Sequence, residues 1–260
     1  MIKPIVLLIA VVLIGNASAE QLKIVTTTTA LEDLVKEVGG DMVQVTSFVS
    51  SGVCPDHWDM KPSQFIALNE SKIVFKHGME GWLSNLTRQD QKVVVLSGPW
   101  NTPQTAINKT QATAKALIEV DPANAALYDE NAKALETQFA DLAEDLKQRA
   151  KEANTTEVKV ICMDWQKGFI SSMGFDIARI YGSQETLSIK DVNDIVKAGK
   201  QENISLVADN LQSGTDVGGQ IAEEIKAKHV ILTNFPGAVP GTDSLLEMLK
   251  YNGEMLFAAI

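Results

Sequence analysis

Two short clusters hold most of the residues able to do chemistry. The first, Gly52-Val53-Cys54-Pro55-Asp56-His57-Trp58-Asp59, sets Cys54 and His57 in a C-x-x-H pair flanked by Asp56 and Asp59. Thiolate and imidazole suit zinc or copper, and carboxylates suit harder ions. The second, Ile161-Cys162-Met163-Asp164-Trp165-Gln166, again places soft sulfur beside a carboxylate. A metal site needs three or four ligands, so neither cluster suffices alone. Meeting across a cleft, Cys54, His57, Cys162, Met163 and Asp164 would supply them. The alternative is that Cys162 and Met163 are ordinary core residues, as both types often are.

Other residues bear on the same cleft. His77 ends an apolar run just before Gly78 and either points into the cleft or sits in a loop. His229 follows a basic stretch and reads as a surface residue. Trp58, Trp100 and Trp165 each fall in a loop after a strand, where they could surround a site or stack on an organic cation. Asp209-Asn210-Leu211-Gln212-Ser213-Gly214 also follows a strand and could line the cleft. Enzyme signatures are missing: there is no G-x-S-x-G, no phosphate-binding glycine loop and no H-E-x-x-H, so the chain does not read as an enzyme.

Positioning these clusters takes an alternation of strands and helices. Residues 22–29 are rich in β-branched side chains and read as a strand. A helical spacing follows through Leu31, Leu34, Val35 and Val38, ending at Gly39-Gly40. Strands are expected again at 43–49, 72–75 and 92–96, and later at 158–162, 177–181, 206–208 and 230–232. Helices fit 188–201, 216–226 and 244–257. This order predicts α/β architecture with mostly parallel sheets, in two lobes. Ligands of such sheets bind beyond the carboxyl ends of the strands, where both clusters fall.

Between the halves, residues 123–153 contain no Pro or Gly, and Leu127, Leu135, Phe139, Leu142 and Leu146 recur in threes and fours. At 1.5 Å per residue such a helix runs roughly 45 Å. It reads as a stiff rod between two lobes, or otherwise as half of a helical hairpin. The expected organisation is a signal peptide at 1–19, an N-terminal lobe at 20–120, a linking helix at 121–154 and a C-terminal lobe at 155–260.

The N-terminus points to export. Lys3, an apolar run over 4–14 and Ala17-Ser18-Ala19 have the order of a secretory signal peptide. The run is short for a membrane span, which takes ~20 residues, although an uncleaved anchor is the alternative. Sequons at Asn69, Asn85, Asn108, Asn154 and Asn203 would suit an exported chain. The net charge is −10, one unit more negative once Lys3 is removed. That disfavours nucleic acid and anionic membranes and favours cationic ligands, or simply keeps the protein soluble. The two cysteines, Cys54 and Cys162, would by default pair as a disulfide outside the cell.

Taken together, the chain resembles the zinc/manganese group of ABC-importer solute-binding proteins over nearly all its mature length. The resemblance rests on residues 24–29 with 34–40, on the Pro-His-aromatic-Pro-Ser pattern within 52–63, on the long helix, and on 243–252. It implies two lobes joined by a rigid helix, a metal ion in the cleft, and an importer permease and ATPase as partners, the receptor being a monomer. Of the family's ligand positions, His57 corresponds to the first, displaced by one so that Asp56 takes its usual place. Gly98 stands at the second, ahead of Trp100 and Pro103. Met163, beside Asp164, stands at the third, and Thr233 or Asn234 at the closing Asp. Two ligand classes follow. Cys54, His57, Cys162 and Met163, with His77 replacing the lost histidine, would suit zinc first, with copper or manganese as alternatives. Alternatively the tryptophans and acids hold an organic or complexed ligand, which a Cys54–Cys162 disulfide would favour. A third reading is an exported adhesin or structural module.

Overall fold

The structure, a computed structural model, describes residues 21–260; the expected signal segment lies outside the described residues. Among the described residues, eight strands form two four-stranded sheets, parallel throughout. The first contains β1 (Leu22–Thr26), β2 (Val43–Ser47), β3 (Ile73–Lys76) and β4 (Lys92–Val95), in the order β2-β1-β3-β4. The second contains β5 (Lys159–Met163), β6 (Asp176–Tyr181), β7 (Leu206–Asn210) and β8 (Lys228–Leu232), in the order β6-β5-β7-β8. In both sheets the chain reverses direction beside its first strand. The crevice expected at such a reversal lies between β1 and β3 in one lobe and between β5 and β7 in the other.

Helices close both faces. In the N-terminal lobe α1 (Thr29–Gly39) buries Leu31, Leu34, Val35 and Val38. The Thr28 hydroxyl accepts from the Leu31 amide at its start, and Gly40 ends it at φ 53°, a backbone region that favours glycine. Pro62–Glu70 forms α2. In the C-terminal lobe the helices are α5 (Lys167–Ser172), α6 (Ile189–Glu202), α7 (Asp216–Ile225) and α8 (Leu245–Phe257), numbered after the linking pair below. Ser188 with Asp191 and Ser244 with Glu247 make reciprocal caps at the starts of α6 and α8.

The lobes are joined by two helices. Pro103–Val120 forms α3, and after a tight turn at Pro122–Asn124 the chain runs through α4, Ala125–Glu152. At 28 residues α4 is about 42 Å long. Its buried stripe is Tyr128, Ala132, Leu135, Phe139, Leu142, Leu146 and Ala150, so Tyr128 takes the inward place that spacing suggested for Leu127. The stripe belongs to one apolar cluster that reaches Ile24 and Phe75 in one lobe and Val160 and Leu232 in the other. Burying each large side chain there contributes about 1.5–3 kcal/mol. The helix is therefore a shared wall for both lobes. It is also one arm of a helical hairpin, because α3 packs along it.

Candidate functional site

At the end of β3 the N-terminal lobe fills its own crevice. The Glu80 carboxylate, 1% exposed, accepts hydrogen bonds from the Thr27 hydroxyl (2.5 Å) and from the backbone amides of His77 (2.8 Å) and Gly78 (2.7 Å). Burial pushes its pKa up, but these donors and the adjacent His77 outweigh that and hold it below the usual glutamate value. His77 Nε2 lies 2.8 Å from the Thr28 hydroxyl, and its ring packs on Trp100 at 4.1 Å between centroids. Burial, with Lys109 adding to it against Glu80, lowers the pKa of His77 to about 4, so the ring is neutral at pH 7. Lys109, reaching in from α3, donates to the carbonyls of Leu96 (2.5 Å) and Ser97 (2.9 Å). Burial lowers its pKa to about 8. This is a hydrogen-bonded polar plug sealed by an indole, with His77 Nδ1 buried and unpartnered among the described residues.

A belt of amides ties the lobes together. Trp100, on the loop after β4, donates from Nε1 to the carbonyl of Asn234 (2.8 Å) and stacks on Phe235, both from the opposite lobe. Asn101 Nδ2 donates to the Trp165 carbonyl (2.7 Å) and to Asn234 Oδ1 (3.0 Å). Gln166, fully buried, donates from Nε2 to Asn210 Oδ1 and Asn234 Oδ1, each at 3.0 Å. Gln212 Nε2 reaches back to the Ser51 carbonyl of the N-terminal lobe (2.8 Å). Farther out, Asp33 of α1 accepts from the Leu245 amide at the start of α8 (2.8 Å). Gln166 Oε1 is buried with no partner, as are Thr26 Oγ1, Ser47 Oγ, His77 Nδ1 and Thr113 Oγ1 elsewhere among the described residues.

Beyond the belt the C-terminal side stays open. A cavity of about 720 Å³ lies between the lobes, bordered by Gly98, Trp100 and Asn101 on one side and by Asp164, Trp165 and Lys167 on the other. Gly98 has φ 77°, and a Cβ there would meet no atom within 4 Å, so this position opens onto free space. A narrower recess on the far side of Trp100 and Trp165 is lined by Cys54, Asp56 and Gln212.

The residues expected to act together are distributed unevenly. Asp164 is exposed in the groove, and Cys54 is half-buried in the recess on the far side of Trp100 and Trp165. His57 closes a short turn, Pro55–His57; its side chain lies outside the described residues. Cys162 and Met163 do not reach the groove. Successive residues of a strand face opposite sides, so Cys162 enters the shared core while Met163 packs with Ile161, Tyr181 and Val207 under α6 and α7. The Met163 sulfur accepts from the Trp165 amide at 3.2 Å. Burial foremost, with Asp164 adding, pushes the Cys162 thiol up to about 12; burial also raises Cys54, so both are protonated thiols at pH 7. Both are free, and the disulfide expected by default is not formed. Among the described residues no three His, Cys, Asp or Glu side chains are grouped to hold a metal ion.

Trp58 turns from the cleft to donate to Gln64 Oε1 at 3.3 Å and lies under Lys61. His229 is exposed, as its sequence reading has it, and its Nε2 lies 2.7 Å from the buried carboxylate of Asp209, which also accepts from the Tyr181 hydroxyl. That triad packs tightly against Gly218, where a Cβ would lie 1.9 Å from Asp209 Oδ2. Asn101 and Gln166, central to the amide belt, were not singled out as functional. Their one signal was position, each next to a strand-end tryptophan.

Two parallel sheets whose strand ends meet at one groove, tied by a shared helix, define a two-lobed α/β binding protein. The family described as ZnuA, zinc-uptake complex component A, periplasmic, matches residues 24–259, and the chain belongs to that family. The metal ABC transporter substrate-binding lipoprotein SsaB of Streptococcus sanguinis is 25% identical over 166 residues, covering 52% of this chain and 54% of that protein. The manganese ABC transporter substrate-binding lipoprotein PsaA of Streptococcus pneumoniae is 24% identical over 164 residues, covering 52% and 53%. The chain thus spans about half the length of the curated relatives it matches. Among solved structures, a Cd-bound periplasmic metal binding protein from Candidatus Liberibacter asiaticus superposes with a TM-score of 0.80 at 16% identity, covering 90% of this chain and 98% of that one. At that identity the likeness speaks for the fold.

Proposed function

We propose that this chain is an extracytoplasmic solute-binding receptor that captures a metal ion between its lobes and delivers it to the permease and ATPase of an ABC importer. One observation carries the reading: the family match runs from 24 to 259, through both lobes and the linking helices. The acidic chain supports a cationic solute. No helix among the described residues is long and apolar enough to cross a membrane. The receptor works as a monomer at the outer face of the membrane and catalyses nothing. Zinc is the first candidate ion, with copper or manganese as alternatives. Asp164 is the ligand we assign to it in the groove, and Cys54 and His57, on the loop after β2, are those the sequence offers from the other lobe. Cys54 would bind as thiolate, so loading releases a proton and strengthens as pH rises. Cys162, Met163 and His77 are left out, because each is enclosed by protein.

Titration calorimetry of the reduced protein with zinc, manganese and cuprous ions tests this. One ion per chain is expected, with Cys54→Ala and Asp164→Asn each weakening binding by about tenfold or more, while Cys162→Ala leaves it unchanged. If none of the three ions binds, the metal reading is overturned. If both variants titrate as the wild type does, the assigned ligands are.

A further inference from the structure

The cavity beside Trp165 is the wrong size for a bare ion. A tetrahedral zinc has its ligands at about 2.0–2.3 Å and needs no void around it. Cavities that hold small organic molecules run from about 300 to 1,000 Å³, and this one, at about 720 Å³, falls among them. Its walls fit an organic guest as well. Trp165 is 41% exposed and offers an aromatic surface to the groove, while Trp100, nearly buried, is fixed 6.0 Å away between centroids. Gly98 adds free space where a side chain would narrow the opening. The charged groups at the border are Asp164 and Lys167, one of each sign.

We infer that the solute enters this cavity as a chelate: a divalent metal already carried by a planar organic ligand, with one open coordination position. This rests on the metal-receptor reading above and narrows its substrate. The organic face packs on Trp165, as flat π-systems do on indole. The Asp164 carboxylate takes the open position as a water leaves the metal. Lys167 favours a chelator bearing an anionic oxygen. A chelate brings most of its own donor atoms, so the protein needs to supply one ligand rather than three. That matches a chain whose described residues offer no three-ligand cluster, and it gives the large cavity an occupant.

Zinc with one equivalent of 2,2′:6′,2″-terpyridine, a planar ligand with three donor nitrogens, serves as probe, titrated into the reduced full chain beside zinc alone and terpyridine alone. The expected result is one chelate per chain, bound at least about tenfold more tightly than either component, with quenched tryptophan fluorescence. Trp165→Ala and Asp164→Asn should each lose about tenfold of that affinity. Both residues are exposed, so loss of folding will not mimic the effect, and circular dichroism checks it. Zinc alone binding as tightly as the chelate overturns the inference and leaves the metal reading standing. Terpyridine alone binding equally well overturns it in favour of a metal-free organic solute. If neither ion nor chelate binds, both readings fall.

Discussion

The two lobes share one strand order and reach opposite outcomes at the same place. Between β1 and β3 the crevice is occupied by the protein itself. Thr27, Thr28, His77 and Glu80 bind one another, and Trp100 covers them. Between β5 and β7 the amides of Gln166 and Asn210 make a floor, above which Asp164 and Trp165 stay accessible. A ligand entering the N-terminal crevice would have to break several buried hydrogen bonds before making any. Each side keeps buried atoms without a partner, Thr26 Oγ1 and His77 Nδ1 in the N-terminal lobe and Gln166 Oε1 in the C-terminal one, so the difference lies in occupancy: side chains fill the first crevice, while Asp164 and Trp165 at the end of β5 border the open groove. Topology thus supplies two equivalent crevices, and only one of them is filled by the protein's own side chains.

Breaking the plug should have the largest effect. Glu80→Ala leaves two buried donors and one part-buried donor without an acceptor and should cost about 4 kcal/mol in denaturant unfolding. A loss under about 1 kcal/mol would mean that the plug is not structural. Next comes its pH dependence. The unfolded His77 binds a proton near its usual 6.5 and the folded one only near 4. Its contribution is therefore present above pH 6.5 and lost as pH falls towards 4. His77→Gln should flatten that part of the stability–pH curve; an unchanged slope would place the titration elsewhere.

Asp33 at the interlobe latch should behave in the opposite sense. Burial foremost, with Glu37, Glu247 and Glu32 adding against the Leu245 amide, raises its pKa from the usual 3.8 to about 7. Its stabilising share is present at low pH and lost as pH rises through 7. Asp33→Asn should stabilise the protein at pH 8 by about 2 kcal/mol, after allowance for partial exposure, and change little near pH 4. A destabilised variant at pH 8 would contradict this. The smallest effect belongs to the open side: Trp165→Ala should change unfolding free energy by less than about 1 kcal/mol while weakening solute binding. A larger stability loss would make Trp165 part of the core.

Much of this contrast could be read from the residues, and the failures have specific causes. β-branched runs located the strands, and the Leu135, Phe139, Leu142, Leu146 stripe located α4. Its partner α3 was missed because its buried face, Pro103, Ala106, Lys109, Thr110, Thr113, Ala114, Ala116 and Leu117, holds one large apolar side chain and so shows little apolar periodicity. Cys162 and Met163 looked like a sulfur pair, yet neighbours on a strand cannot face the same side, and β5 is central enough to bury both. Asp164, one residue past the strand, escaped that constraint and reached the groove. The burial of His77 depended on Trp100, which is brought across by a turn after a different strand; no local pattern announces such a contact.

Anomalous scattering at the zinc edge, from crystals of the protein grown with zinc and chelator, tests the central contrast most directly. The account expects one strong peak beside Asp164 and Trp165, with the His77–Thr28 pair intact beneath Trp100. A peak at His77, or among Cys162 and Met163 with the groove empty, would contradict it.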